Sequence, residues 1–147
     1  KMIFTLVTSD NKSFKVEKEL LKHSGAITKL IEDLNLDNPD TDPSAMIIPI
    51  RSASGPILGK VIRWLRWHKD DPVPENEDDV HLFVKRHFTD WDSEFFMYFF
   101  QEFDDDGYRE LRRVVQHLDI KLFRGMVMKI NIDEMMRQYD EAESQKN

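Results

Sequence analysis

The sequence contains no cysteine. Disulfide bonds, thiolate zinc sites and a cysteine nucleophile are therefore excluded together. It also has no run of about eighteen apolar residues, so we expect no segment that spans a bilayer. The opening residues Lys1 to Phe4 show neither the basic region with a long apolar stretch nor the cleavage site of a secretory signal. These features favour an intracellular protein that does not enter a membrane.

Basic side chains are fewer than acidic ones. The 147 residues include 21 basic and 28 acidic side chains, which gives a formal net charge of −7 with the histidines neutral. Non-specific binding to nucleic acid needs basic side chains that replace phosphate counterions, so we expect no nucleic-acid partner. Hydrophobic residues make up 40% of the chain and charged residues 33%, a composition typical of globular proteins. This length is that of one compact domain.

The motifs of common enzyme classes are missing. The sequence has no glycine-rich phosphate loop, no Gly-x-Ser-x-Gly and no His-Glu-x-x-His, and its five histidines lack metal-ligand spacing. The segment from Glu102 to Arg113 approaches a calcium loop, but it ends on a cation where a bidentate carboxylate is required. We therefore expect no catalytic residue, no metal site and no cofactor. A hydrolase or an acidic metal site is the less favoured alternative.

The first third of the chain has the pattern of a small sheet. Residues 2–8 are rich in β-forming side chains, residues 9–11 are turn formers, and residues 13–16 alternate between polar and apolar. A two-stranded hairpin is marginal by itself. Met46 to Ile50 is the natural third strand, and Pro49 places it at an edge or at the end of the strand.

Helical signals lie between and after these strands. We predict a short helix over residues 16–23 and a second helix whose N-cap is Ser24. A central helix begins at residues 54–56, where a serine precedes a proline that fits the first turn, and continues to Trp67. Residues 72–79 are acidic and contain prolines, so we expect an exposed linker.

The second half of the chain is predicted to be helical. Residues 95–100 are consecutive apolar side chains that cannot all point inward on one helix, so some are expected to face a partner. Two stripes at helical spacing follow, and a short helix is predicted over residues 133–139. The stripes consist of Leu111, Val114, Val115 and Leu118, and then of Leu122, Phe123, Met126, Val127 and Ile130. The order of the elements indicates an α+β fold.

Blocks of sequence in the same order resemble the S-phase-kinase-associated adaptors, a family related to elongin C. These adaptors are the small subunits that join cullins to F-box proteins in SCF ubiquitin ligases. The most specific block is Lys60 to Pro74, which is similar to the family's Lys-Val-Ile-x-Trp…His-His-Lys-Asp-Asp-Pro almost residue for residue. The other blocks are Phe4 to Val16, Ile31 to Leu34, Trp91 to Phe95, and Leu118 to Lys121 with its Leu-Asp-Ile-Lys.

The resemblance implies a BTB/POZ fold, a three-stranded sheet flanked by helices, with C-terminal helices that form a partner-binding extension. On this basis we expect a BTB/POZ core over residues 1–103, a truncated extension of the F-box-binding type over 104–140, and a flexible tail over 141–147. The implied function is that of a non-enzymatic adaptor in the ubiquitin conjugation pathway, located in the cytoplasm and nucleus. It would bridge a cullin to an F-box substrate receptor.

The resemblance also assigns candidate site residues. The F-box-binding set is Leu118, Ile120, Lys121, Leu122, Phe123, Met126, Val127 and Ile130. We favour an exposed groove over a core role for its members from Leu122 onward, because little sequence follows that could cover them. Gln116 and His117 occupy the place of the family's Asn-Tyr and are expected to face the cullin.

Other positions depart from the family pattern and indicate a divergent member. Arg112 and Arg113 stand where the family has the apolar residues Ile-Leu, and the family's block after Ile130 is matched only weakly. A second function therefore stays open, in which the same fold forms a homodimer and acts as a self-associating scaffold with no ligase role.

Overall fold

A computed structural model describes residues 2–146, apart from the side chain of Met135. Strand β1 (Ile3–Thr8) pairs antiparallel with β2 (Ser13–Glu17) and parallel with β3 (Ile47–Ile50), so the order in the sheet is β2-β1-β3. The predicted hairpin and the predicted third strand at an edge are confirmed. The hairpin turn holds Asn11 at a φ of 62°, in the left-handed region that asparagine tolerates.

Helices make up most of the remaining chain. A 3-10 helix, Lys18–His23, precedes the first α-helix, and a second, Pro43–Met46, precedes β3. The α-helices are α1 (Gly25–Asp33), α2 (Gly55–Trp67), α3 (Glu77–His87), α4 (Asp90–Glu102), α5 (Asp105–His117) and α6 (Lys121–Gln145). Sheet and helices together give the predicted α+β architecture. The division of the chain into domains stays a prediction.

The structure corrects two of the predicted elements. Residues 77–79 belong to α3 instead of an exposed linker, because Asn76 caps the helix and accepts a hydrogen bond of 2.9 Å from the Asp79 amide. The short helix over 133–139 is part of α6, which continues to Gln145. The flexible tail over 141–147 stays a prediction, and Asn147 lies outside the described residues. Arg137 forms ion pairs with Glu134 and Glu141 one turn away on either side, which stabilises a continuous helix there.

The core lies between the sheet and the helices, and its centre is aromatic. Trp64 of α2 is fully buried and stacks on Phe123 of α6, with the ring centroids 4.5 Å apart. Phe95 and Phe96 of α4 meet the same phenylalanine edge-on, at 5.9 and 6.1 Å. Three helices therefore share one aromatic cluster, an arrangement that adds to the stabilisation from buried area alone.

A buried polar cluster joins the end of α2 to the start of α4. The ring of His68 is fully buried, and its Nδ1 and Nε2 atoms each lie 2.6 Å from a carboxylate oxygen, of Asp71 and Asp92 respectively. Asp92 also accepts hydrogen bonds of 2.8 and 3.0 Å from the amide and hydroxyl of Thr89, the N-cap of α4. The block that resembles the family most closely thus contributes directly to this connection.

His23 lies next to this cluster in a different environment. Its Nε2 donates a 2.8 Å hydrogen bond to the carbonyl oxygen of His68, whereas its buried Nδ1 has no hydrogen-bond partner among residues 2–146. Desolvation lowers the pKa of His23 from 6.5 to about 4. A second proton on this ring would therefore place a charge in the interior without a partner.

Between pH 6.5 and 4 the unfolded chain binds a proton at His23 that the folded chain does not. The free energy of unfolding should therefore fall as the pH drops through this window, by about 3 kcal/mol from this residue. His23→Gln should remove that part of the slope, as measured by urea unfolding at several pH values. The exposed His81→Gln is the control and should keep the slope. Equal slopes in wild type and His23→Gln would contradict the assignment.

Candidate partner-binding surfaces

The predicted F-box-binding set is mostly buried. Only Lys121 and Ile130 of the eight residues are partly exposed. The other six, which are 0% to 5% exposed, are Leu118, Ile120, Leu122, Phe123, Met126 and Val127. The expectation that the stripe from Leu122 onward forms an exposed groove was wrong, because these side chains pack into the aromatic core. The role of the set in binding an F-box protein stays a prediction.

The Leu-Asp-Ile-Lys block forms the turn that orients α6. The Ser24 hydroxyl donates a 2.7 Å hydrogen bond to the carbonyl oxygen of Leu118, and the Gly25 amide donates one of 3.0 Å to that of Asp119. Asp119 has a φ of 53°, and its carboxylate lies 2.9 Å from the Lys121 ammonium group. The N-terminus of α1 thus holds the α5–α6 turn and sets the direction in which α6 leaves the core.

The face of α6 that points away from the core carries an exposed apolar row. This row, the α6 stripe, consists of Met128, Ile132, Met136 and Tyr139, which are 53% to 62% exposed. This row was not predicted from the sequence, because a helix break was expected between Ile130 and Asp133. The signal that could have found it was the regular spacing of these four residues.

A groove separates α3 from the first half of α6. The two helices approach closely because Gly125 has no side chain where Val80 and Val84 pack against it. The groove has a volume of about 600 Å³. Its apolar lining is Val80, Leu82, Val84, Met128 and Ile132. Its charged and titratable lining is His81, Lys85, Arg124 and Lys129, together with the acidic Glu77 and Asp133.

Gly125→Ala should weaken the packing of α3 on α6. A Cβ atom at this position would lie 2.6 Å from Val80 Cγ1 and 2.8 Å from Val84 Cγ2, closer than van der Waals contact permits. We expect a loss of about 1–3 kcal/mol in the free energy of unfolding, despite the higher helix propensity of alanine. Denaturant unfolding measures the loss.

Gly59→Ala in α2 is the matched control for this substitution. Its Cβ would meet only Phe14 ring atoms, at 3.7 and 3.8 Å, so this variant should be neutral or up to about 1 kcal/mol more stable. If both alanine variants gained stability, the result would contradict the close packing of α3 against Gly125.

The aromatic run of α4 is divided between core and surface. Phe95, Phe96 and Phe99 are buried. Met97, Tyr98 and Phe100 are 45% to 56% exposed. The expectation that this run cannot all point inward is confirmed, and the three exposed side chains form a second apolar surface on the molecule.

The two candidate cullin-facing residues lie at the end of α5. Gln116 and His117 are both exposed. His117 Nδ1 lies 2.9 Å from the hydroxyl of Ser52, in the loop after β3. Two residues further along that loop, the Ser54 hydroxyl donates a 2.7 Å hydrogen bond to Glu110 of α5. The structure therefore presents both candidates beside the edge of the sheet, and their contact with a cullin stays a prediction.

The described residues offer no assembled metal site. Within residues 2–146, no three His, Asp or Glu side chains come together in a way that could hold a metal ion. Asp104, which belongs to the segment that approaches the calcium pattern, instead caps α5 by accepting a 3.0 Å hydrogen bond from the Gly107 amide. Over the same described range, no helix is long and apolar enough to cross a membrane.

Comparison with known proteins identifies relatives along most of the chain. A family model described as "Skp1 family, tetramerisation domain" matches residues 2–70. A "Skp1-related protein" of Caenorhabditis elegans is 32% identical over 114 residues, which cover 78% of this chain and 61% of the relative. An "E3 ubiquitin ligase complex SCF subunit sconC" of Arthroderma otae is 32% identical over 120 residues, covering 80% and 64%. A "Suppressor of kinetochore protein 1" of Schizosaccharomyces pombe is 29% identical over 118 residues, covering 79% and 66%.

The matches agree with the fold and with the sequence blocks. The chain spans 61% to 66% of the length of these three relatives. The matched residues 2–70 contain the whole sheet, α1, α2 and His68 of the buried polar cluster. The sequence identity to these relatives is only about 30%, which agrees with the departures from the family pattern at Arg112, Arg113 and His117. The chain is similar to the Skp1 family over residues 2–70 and resembles its members, divergently, along most of its length.

Proposed function

We propose that this chain is a non-catalytic adaptor of an SCF-type ubiquitin ligase, which joins a cullin to an F-box protein in the cytoplasm and nucleus. The observation that carries the proposal is the match to the Skp1 family model, together with a similar protein whose name is that of an SCF ubiquitin ligase subunit. An adaptor needs two separate contact surfaces on one rigid core. The end of α5 and the outer face of α6 supply them.

The cullin surface is assigned to the end of α5 and the loop after β3. His117 stands where the family has tyrosine, so the aromatic contact there is smaller. Its hydrogen bond to Ser52 holds the ring at the surface. We therefore expect the chain to bind a cullin more weakly, or to prefer a different cullin.

The F-box surface is assigned to the exposed part of α6. Six residues of the predicted set are buried. We therefore assign direct contact with the F-box protein to Lys121, Ile130 and the neighbouring α6 stripe. An amphipathic helix of the partner could lie along this row, as in other helix-in-groove complexes. The same exposed row also supports the second candidate function, a self-associating scaffold without a ligase role.

Affinity capture with the tagged chain in cells of its own organism, followed by mass spectrometry, tests the proposal. We expect a cullin and an F-box protein to be recovered together. Ile132→Glu should reduce the F-box protein and keep the cullin, because it places a charge on the α6 stripe. Gln116→Asn with His117→Tyr should raise the recovery of the cullin.

Leu34→Glu is the matched control for the stripe variant. Leu34 is 60% exposed at the end of α1, so the same type of change falls on a different surface and should alter neither recovery. If neither a cullin nor an F-box protein were enriched with the wild-type chain, the adaptor proposal would be wrong.

A further inference from the structure

The net negative charge of the chain is concentrated in one segment. Residues 88–108, which comprise the loop before α4, α4 itself and the start of α5, contain seven acidic side chains and no lysine, arginine or histidine. The other 126 residues contain 21 acidic and 21 basic side chains. The same segment holds nine of the sixteen aromatic side chains. The region around α4 therefore combines charge of a single sign with a high density of aromatic rings.

Six of the seven acidic side chains have a role within the fold. Two accept hydrogen bonds at the starts of α4 and α5, two form ion pairs, and two lie in the first turns of these helices, where the helix dipole favours negative charge. In that order they are Asp92 and Asp104, Glu102 and Asp106, and Asp90 and Asp105. Glu94 is the exception, because it is exposed and its side chain forms no hydrogen bond or ion pair within residues 2–146.

The neighbours of Glu94 along α4 do not compensate its charge. On a helix these neighbours are the residues three and four positions away, which are Asp90, Trp91, Met97 and Tyr98. None of them is basic, and Asp90 repeats the negative charge, an arrangement that weakens a helix. Met97 and Tyr98 are 48% and 56% exposed. The stability of α4 therefore does not account for a glutamate at this position.

A stack of aromatic rings borders the same face of α4. The Trp67 ring, 52% exposed at the end of α2, lies parallel to the Trp91 ring, with the centroids 4.8 Å apart. Trp91 in turn stacks on Phe95, which contacts Phe123 in the core. The exposed indole is thus the outermost ring of a stack that is anchored in the core. A partner that binds there does not have to order it first.

We propose that this surface, the α4 aromatic face, binds an arginine-bearing segment of a partner protein. The face consists of Trp67, Trp91, Glu94, Met97 and Tyr98. A guanidinium group can pair with the Glu94 carboxylate while its plane stacks on an indole or phenol ring, which suits arginine better than lysine. Met97 and Tyr98 offer apolar contact to the partner residues beside the arginine.

The charge of the region determines the kind of partner. Seven acidic and no basic side chains in residues 88–108 attract a basic segment and repel the phosphate groups of nucleic acids and anionic lipids. Tryptophan and tyrosine are also among the residues that contribute most to binding energy at protein interfaces. None of the five residues belongs to the surfaces assigned to a cullin or to an F-box protein. The inference therefore does not depend on the adaptor function.

An NMR titration of the isotope-labelled chain tests the location of the site. The probe is a synthetic peptide of arginine, leucine and alanine, and two further peptides carry lysine or glutamate in place of arginine. The chain has three tryptophans, of which the fully buried Trp64 is an internal reference. We expect the arginine peptide to shift the indole N–H signals of Trp67 and Trp91 and to leave that of Trp64 unchanged. The lysine peptide should bind more weakly, and the glutamate peptide should not bind.

Variants of the face test its chemistry, with affinities measured by the fluorescence anisotropy of the labelled arginine peptide. Glu94→Gln should weaken binding about tenfold or more, because it removes the charge and keeps the size of the side chain. Tyr98→Ala should weaken it about two- to fivefold. The matched controls are Glu32→Gln on α1 and Tyr139→Ala on α6, which change exposed residues on other surfaces and should bind like the wild type. Circular dichroism checks that every variant is folded.

Three results with the peptides would overturn the proposal. These are an arginine peptide that leaves the Trp67 and Trp91 signals unchanged, a lysine peptide that binds equally well, or a Glu94→Gln variant that binds as tightly as Glu32→Gln. A Trp67 signal that shifts with the concentration of the chain alone would show that a second copy covers the face, and would also contradict it. Loss of peptide binding in Glu94→Gln, with unchanged capture of a cullin and an F-box protein, would support a separate third surface.

Discussion

The stacking of Trp64 on Phe123 is the interaction on which the C-terminal half of the molecule depends. Trp64 belongs to the central helix α2, and Phe123 is in the first turn of α6. Because Phe95 and Phe96 close around the same ring, α4 and α6 are fixed to the helix that covers the sheet. The start of α6 is therefore part of the core and cannot act as a free clamp. Only its outer face and its projecting half can meet a partner.

Two polar connections complete this arrangement. His68 bridges Asp71 and Asp92 at the start of α4, and the N-terminus of α1 holds the turn at Leu118 and Asp119. Both use residues from the blocks that resemble the Skp1 family. Their role in this chain is to hold the helices in place, so the family resemblance is strongest in residues that position the surfaces. The surfaces themselves carry the departures from the family pattern, at Arg112 and His117.

The parts of the fold that could be predicted are those determined by local sequence. Alternation predicted the hairpin, and Pro49 correctly placed β3 at an edge. Helix α3 was missed although Asn76, an acidic first turn and a basic last turn are the signals of a helix. The stripe from Leu122 to Ile130 was assigned to a groove, because its spacing is the same whether it packs inside the chain or against a partner. Contact with Trp64, far away in the sequence, decides between the two, and no local pattern contains it.

The free energy of unfolding of Phe123→Ala, compared with that of Ile132→Ala, tests the central claim most directly. Both substitutions shorten an apolar side chain on α6, but Phe123 is fully buried and Ile132 is 53% exposed. We expect urea unfolding to show a loss of about 3–5 kcal/mol for Phe123→Ala. Ile132→Ala should stay within about 0.5 kcal/mol of the wild type. A small loss at Phe123, equal to that at Ile132, would show that α6 does not belong to the core.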